Sequence, residues 1–236
     1  MTFFVRLLMV FVTWGLPYMA IAESTKPVYV INFSDYTSGS VHDWLRGKGF
    51  QFEHDARRGK GIDLDGSNNR LTMETQRRAF GLMPNEAVNV PEFSNIEIDW
   101  GVNKFPEGAS YEKGVRNEAV ILFVFLGDER KPSGSLLIPD SPYFVGLFLC
   151  HGDDKVNHPY VGSYFKKSGR YVCLDRPAPG QMVTTRFNLL EAYRAYFDKE
   201  GDDDPAVSGL AVGLDTKKAT DGGRASAFIR EIRFFP

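Results

Sequence analysis

Polar and apolar residues alternate along much of this chain, and elsewhere they run apolar without a break. Ile96-Glu97-Ile98-Asp99-Trp100 and Arg70 to Thr75 alternate with a period of two, the mark of a strand with one covered face. Val28 to Phe33 is a β-branched and aromatic run. Ala119 to Leu126 (AVILFVFL) and Val145 to Cys150 (VGLFLC) are apolar on both faces, as central strands covered on both sides are. Gly49 to Glu53, Gly61 to Leu64, Tyr160 to Phe165, Arg170 to Leu174, Leu210 to Leu214 and Ala225 to Phe235 add shorter runs between turns. One segment keeps a helical period instead: Leu189, Leu190, Tyr193, Tyr196 and Phe197 form a single stripe. Asn188 can cap it with Glu191 as its capping-box partner, and Gly201 offers a stop. The pattern predicts a mainly β fold of about ten strands. The expected architecture is a single-domain antiparallel β-sandwich, jelly-roll-like, with one amphipathic helix near residues 189–198.

The first residues depart from this pattern. Met1 to Arg6 carry one positive charge, Leu7 to Ala20 are almost wholly apolar, and Ala20-Ile21-Ala22 has the small-x-small form read by a signal peptidase. The apolar run is shorter than the roughly 20 residues needed to cross a bilayer. The expectation is a cleaved signal peptide at residues 1–22, a β-sandwich domain at 23–236, and a periplasmic or secreted location. No later segment is long and apolar enough to span a membrane. The 28 Lys and Arg against 30 Asp and Glu leave a formal net charge of -2, which argues against nucleic acid as the partner of the whole surface. Export also changes the reading of the 2 cysteines. Cys150 and Cys173 form either a disulfide, worth roughly 3 kcal/mol by loop closure, or two buried thiols on neighbouring strands.

Candidate chemistry is sparse. Arg116-Asn117-Glu118 leads into the AVILFVFL strand, and by simple alternation Arg116 and Glu118 share a face with Val120, Leu122 and Val124. The pair is an edge ion pair or the polar floor of a groove. Glu118 acts as an acid or base in glycoside hydrolysis only with a second carboxylate across that groove. His151-Gly-Asp153-Asp154 with His158 is a turn or, less in keeping with known ligand spacings, a metal site. Asp198 to Asp204 has alternating carboxylates like a calcium loop but lacks the glycine and glutamate an EF-hand uses, so calcium stays open only as an alternative to a solvated connection. Asp215-Thr-Lys-Lys-Ala-Thr-Asp-Gly-Gly-Arg224 is a long hairpin connection or one lip of a binding site, and it follows the small residues Ala211 and Gly213. Trp44 and Trp100 can stack on a sugar or fill the core. Arg57-Arg58-Gly-Lys60 and Lys166-Lys167 favour anionic ligands or are solvated faces. No nucleophile elbow, zinc-protease helix, dinucleotide fingerprint or P-loop is present.

Several of these segments together resemble a family of exported bacterial proteins, domain of unknown function 3047. They are Asp99-Trp100, Phe105-Pro-Glu-Gly108, the strand after Arg116-Asn-Glu118, Tyr193 to Phe197, and Gly209 to Asp215 with Gly222 to Phe234. The resemblance spans residues 96–235. It implies a jelly-roll sandwich akin to carbohydrate-binding modules and an envelope or extracellular location, and it implies no reaction. The chain departs from the family at Arg116-Asn117-Glu118, where an acidic pair is expected, and at Lys217-Lys218-Ala219. The resulting expectation is non-catalytic binding of a polysaccharide or small polar ligand by Arg116, Glu118, His151, Asp215, Arg224 and Trp100. The alternatives are a polysaccharide lyase or hydrolase using Glu118 with Arg116 and His151, and a structural or partner-binding envelope protein.

Overall fold

The computed structural model describes residues 26–201 and 203–236; the expected signal peptide lies outside the described residues. In chain order the strands are β1 (Tyr29–Asn32), β2 (Glu53–His54), β3 (Asp63–Asp65), β4 (Leu71–Thr75), β5 (Phe80–Asn85), β6 (Asn95–Lys104) and β7 (Glu118–Lys131). They continue as β8 (Ser141–Leu149), β9 (Pro159–Tyr160), β10 (Gly169–Asp175), β11 (Met182–Asn188), β12 (Val207–Asp215) and β13 (Ala225–Phe235). Helix α1 (Val41–Gly47) follows β1, and α2 (Leu189–Phe197) follows β11.

The strands form two sheets. The first runs β11-β6-β13-β4-β3, with β1 also on β13; the second runs β2-β5-β12-β7-β8-β10-β9. Their facing sides make one core. Ile96, Ile98, Trp100 and Val102 of β6 and Ile229, Ile232 and Phe234 of β13 pack in the same cluster as Val120, Leu122 and Val124 of β7 and Val145 and Leu147 of β8. The protein is therefore a mainly β sandwich, as the alternation predicts. One ladder breaks the antiparallel rule: β10 runs parallel to β8. A parallel neighbour needs a long crossover in place of a hairpin, and residues 150–168 supply it, with the two-residue β9 on the way.

Trp100 is fully buried, and its Nε1 donates to Thr185 Oγ1 at 3.0 Å. Its indole belongs to the inter-sheet core and does not reach a ligand, which corrects its place among the ligand residues. On the other side of β6, Asp99 is 1% exposed and accepts hydrogen bonds from Arg230 (2.6 Å), Arg233 (3.0 Å) and the Thr184 hydroxyl (2.6 Å). Against the cost of burial, these donors hold its carboxyl at about 2.

Asn188 caps α2 by accepting from the Glu191 N–H, as expected. The helix closes at Asp198, as expected, with that residue in the left-handed region at φ 54°, three residues before Gly201. That places Asp198 in a capping role, and Asp204 pairs with Arg194 at 2.5 Å. Three elements escape the periodicity. Strand β5 contains Gly81 and Pro84, β11 is an edge strand with polar outward positions, and α1 has less than two turns beyond its Ser40 cap. Conversely, Tyr160 to Phe165 pairs only at its start, because the chain turns away and Phe165 takes φ 53°.

Cys150 and Cys173 are bonded, with Cα atoms 5.6 Å apart. The bond links the end of β8 to its parallel neighbour β10 across a separation of 23 residues. Replacing both cysteines by Ala is expected to lower unfolding stability by about 3 kcal/mol. Urea denaturation followed by Trp fluorescence measures this, and an unchanged midpoint contradicts it.

Candidate functional site

The side of the seven-stranded sheet turned away from the core carries the candidate site. A register shift places it there. Gly213 pairs with Ile121, but Asp215 pairs with Glu118, so Ala119 and Val120 together oppose the single Leu214. Both bulged residues face the core. Glu118 is thereby moved off the face of Val120, Leu122 and Val124 and onto that of Ile121 and Phe123, opposite to what alternation alone predicts. Asp215 is its cross-strand partner, which puts two carboxyl-bearing residues side by side on one face.

A tight turn covers this end of the face. Ser110 and Val115 exchange backbone hydrogen bonds, both 2.8 Å, and hold out Tyr111. The Tyr111 ring stacks on Phe148 at 4.5 Å and lies 5.7 Å from Tyr171 and 5.2 Å from Tyr160. With Ile121 and the disulfide these rings make a second, smaller apolar cluster. The turn is fastened at its base. Buried Asp154 accepts from the Glu112 N–H at 3.2 Å, Asp153 accepts from the Ser110 hydroxyl at 2.9 Å, and Glu112 accepts from the Tyr160 hydroxyl at 2.7 Å.

Beneath the turn, the Tyr111 hydroxyl donates to Glu118. Glu118 is 6% exposed. Burial raises its carboxyl to about 8; Tyr111 and Arg116 oppose the shift, while Asp215 and Asp154 add to it. Burial also raises Asp215, against the Lys217 N–H that it accepts at 2.9 Å. Tyr171 is pushed to about 12, chiefly by burial and then by Glu118. Arg116 lies over the rings of Tyr111 and Tyr171 at 6.0 and 5.8 Å and donates to the Val161 carbonyl at 3.1 Å. Asn117 accepts the Lys218 N–H at 2.9 Å, and its buried Nδ2 finds no partner among the described residues. Chemically, the arrangement keeps a neutral carboxylic acid, able to donate a proton, beside a second carboxyl and a guanidinium.

Of the expected site residues, Arg116, Glu118 and Asp215 come together. His151 is exposed and stacks on Phe105 at 5.0 Å; Arg224 is exposed and sits 3.9 Å from Asp221. The Asp215–Arg224 segment is not a hairpin connection, because it carries the chain from the second sheet to the first. Thr216 pins it to Ala79, and Thr220 pins it to Glu107. Trp44 is also placed away from this face, on α1, where its Nε1 donates to Asp35 at 3.2 Å. Among the described residues, no three His, Cys, Asp or Glu side chains are grouped to hold a metal.

Further along the same face the covering stops. Half-exposed Phe123 and Phe125 of β7 and Leu82 and Pro84 of β5 flank a floor of Gly209, Ala211 and Gly213 on β12. The far end is a depression of about 360 Å³ where Phe125, Pro84 and Gly209 meet Glu86, Asp128 and Arg130. Tyr111 and this aromatic wall are the site features that sequence reading missed. An isolated aromatic in a polar loop, seven residues before Glu118, is the only trace the first one leaves.

No family model matches the chain, and no curated protein matches it. Among solved structures it is similar to a family 12 xyloglucanase from Bacillus licheniformis, with 11% identity, 89% of this chain and 98% of the other covered, and a TM-score of 0.44. It is also similar to the metal-free carbohydrate recognition domain of Emp46p, with 12% identity, 87% and 94% covered, and a TM-score of 0.41. A mutant of CBM29-2, a family 29 carbohydrate binding module, gives 8% identity, 87% and 91% covered, and a TM-score of 0.35.

The raised Glu118 carboxyl has a consequence for stability. A group whose folded value lies above its unfolded one supports the fold fully below pH 4.5, and that support is lost as pH rises through about 8. Glu118→Gln keeps an acceptor for Tyr111 and cannot ionise. Its stability is expected to equal or exceed that of the parent above pH 8 and to vary less between pH 4.5 and 8. Thermal unfolding across that range measures it, and parallel pH profiles for the two proteins contradict it.

Proposed function

We propose that this protein is an exported glycan-binding protein without catalytic activity, taking a polysaccharide along the outer face of the seven-stranded sheet. The observation that carries this reading is the half-open aromatic and proline wall around a glycine and alanine floor. Ring faces such as Phe123 and Phe125 cover the C–H faces of sugar rings, and a floor without bulky side chains lets a flat chain approach the backbone. Glu86, Asp128 and Arg130 at one end and Arg116 and Asp215 at the other supply hydroxyl partners. Affinity electrophoresis in gels containing soluble polysaccharides tests it. Retardation by at least one glycan is expected, weakened about tenfold in Phe123→Ala/Phe125→Ala with folding unchanged. Absence of retardation on every glycan overturns it.

A second reading, a polysaccharide hydrolase or lyase, draws on one observation: Glu118 is held as an acid next to Asp215. The Tyr111 turn covers that acid, so this reading needs the turn to lift. Release of reducing ends from the same polysaccharides, abolished in Glu118→Gln, establishes it in place of the first; no release removes it.

A further inference from the structure

Two connections meet at the end of the sheet opposite Glu118, the second of them starting beside Arg116, which donates to the Val161 carbonyl at 3.1 Å, and reaching that end at Phe165. The first, residues 132–140, joins β7 to β8; the second, residues 161–168, leads into β10, and the Phe165 N–H donates to the Ser133 carbonyl at 2.9 Å. Four of the eight exposed large apolar side chains among the described residues sit on them: Leu136, Leu137, Val161 and Tyr164. Leu136 and Leu137 are fully exposed. The first connection is braced from within, since Ser133 donates its hydroxyl to the Ile138 carbonyl at 2.6 Å and its N–H to Asp140 at 3.2 Å. The two leucines are therefore held out at a tip, and no described side chain covers them.

Beside the tip runs a groove of about 620 Å³ lined by Lys131, Lys166, Lys167, Tyr143, Ser163 and Ser168. Lys131 is paired with Glu129 and lies over the Tyr143 ring. Lys166 and Lys167 are exposed, and no carboxylate among the described residues pairs with them. The Ser168 hydroxyl is buried without a partner among the described residues.

We propose that these two connections form a docking site for the surface of a bilayer containing anionic phospholipids. Leucines at the tip of a braced loop enter the acyl boundary, a neighbouring tyrosine sits at headgroup depth, and lysines meet lipid phosphates. A soluble anion accounts for the lysines and leaves the leucines in water. A protein partner needs a broad apolar patch, which two adjacent residues on a narrow loop do not make. Strand β7 separates this end from Glu118 by roughly 40 Å, while Arg130 of the outer-face depression donates to the Asp140 carbonyl of the first connection at 2.9 Å, so docking lies against the near end of that site.

Flotation with vesicles tests the proposal, using the full chain expressed from Met1 with its N-terminus read by mass spectrometry. Binding to vesicles of phosphatidylglycerol and phosphatidylethanolamine is expected, with little on pure phosphatidylcholine. Leu136→Ser/Leu137→Ser and Lys166→Glu/Lys167→Glu, all at exposed positions, are each expected to weaken binding at least about tenfold. Matching thermal unfolding curves confirm that both variants are folded. No binding to anionic vesicles overturns the proposal, as does binding that neither variant weakens. Loss in the lysine variant alone, with inorganic phosphate competing, assigns the groove to a soluble anion and also overturns it. Glycan retardation is read separately in the same variants, so failure here and failure of the glycan reading are distinguishable.

Discussion

Strand β7 is apolar on both faces, and each face has to be kept from water. One face is covered by the first sheet, where Val120, Leu122 and Val124 meet the β6 and β13 side chains. That contact removes large apolar side chains from water at about 1.5–3 kcal/mol each and makes β7 the centre of its sheet. Among the described residues, the other face has no third layer. Its first part is covered by the Tyr111 turn and the aromatic cluster around Phe148 and Tyr171, and its later part, Phe123 and Phe125, is left half open. The site is thus the uncovered remainder of a strand whose composition calls for covering on both sides.

The same constraint explains the unusual state of Glu118. A bulge that gives both Ala119 and Val120 to the core leaves Glu118 on the aromatic side, where the Tyr111 turn closes over it. Ionising it there means desolvating a carboxylate next to Asp215 and Asp154, with only Arg116 and one phenol in compensation. Holding the acid neutral is the lower-energy solution. The ring stacking of Tyr111 and the bonds to Asp153, Asp154 and Glu112 keep the turn closed, so the buried acid and the buried ring depend on each other. Asp99 shows the opposite outcome on the first sheet: shielded from water but less deeply buried, it meets two guanidinium groups and stays ionised.

Much of this architecture is legible in the residues. The unbroken AVILFVFL run marks β7 as a central strand, the alternation around Trp100 marks β6, and Asn188 with Glu191 marks the start of α2. What is not legible has a common cause. Local patterns describe residues at regular spacing, and the site is made by departures from it. The bulge that reverses the face of Glu118 leaves no local trace in sequence. Tyr111 sits in a loop, where only its contacts reveal a purpose. Strand β5, which walls the open face, is hidden by Gly81 and Pro84; Pro84 offers no N–H to a neighbour, although its carbonyl accepts from Gln51. The grouping of Arg116, Glu118 and Asp215 follows from pairing β7 with β12, a non-local contact. The separation of His151, Arg224 and Trp100 from that group follows from the same topology.

The sheet that carries the site also orders the rest of the surface along one axis. Strand β7 runs the length of that sheet, whereas β12 pairs with it only from Glu118 to Leu126, so the two ends of β7 are topped by different connections. One end is closed by packing: the disulfide, the Tyr111 turn and the Asp215–Arg224 crossing bind the loops to one another. The other end is braced without being covered among the described residues, with Leu136 and Leu137 exposed on the connection whose Ser133 and Gly134 line a groove with Lys166 and Lys167. Adjacent exposed leucines carry a solubility cost that a monomeric surface usually avoids. The bracing by Ser133 and Asp140 keeps them from folding back onto the sandwich, where they would regain cover. A loop built to hold apolar side chains outward is explained by something that meets them there, and an anionic bilayer satisfies the leucines and the lysines together.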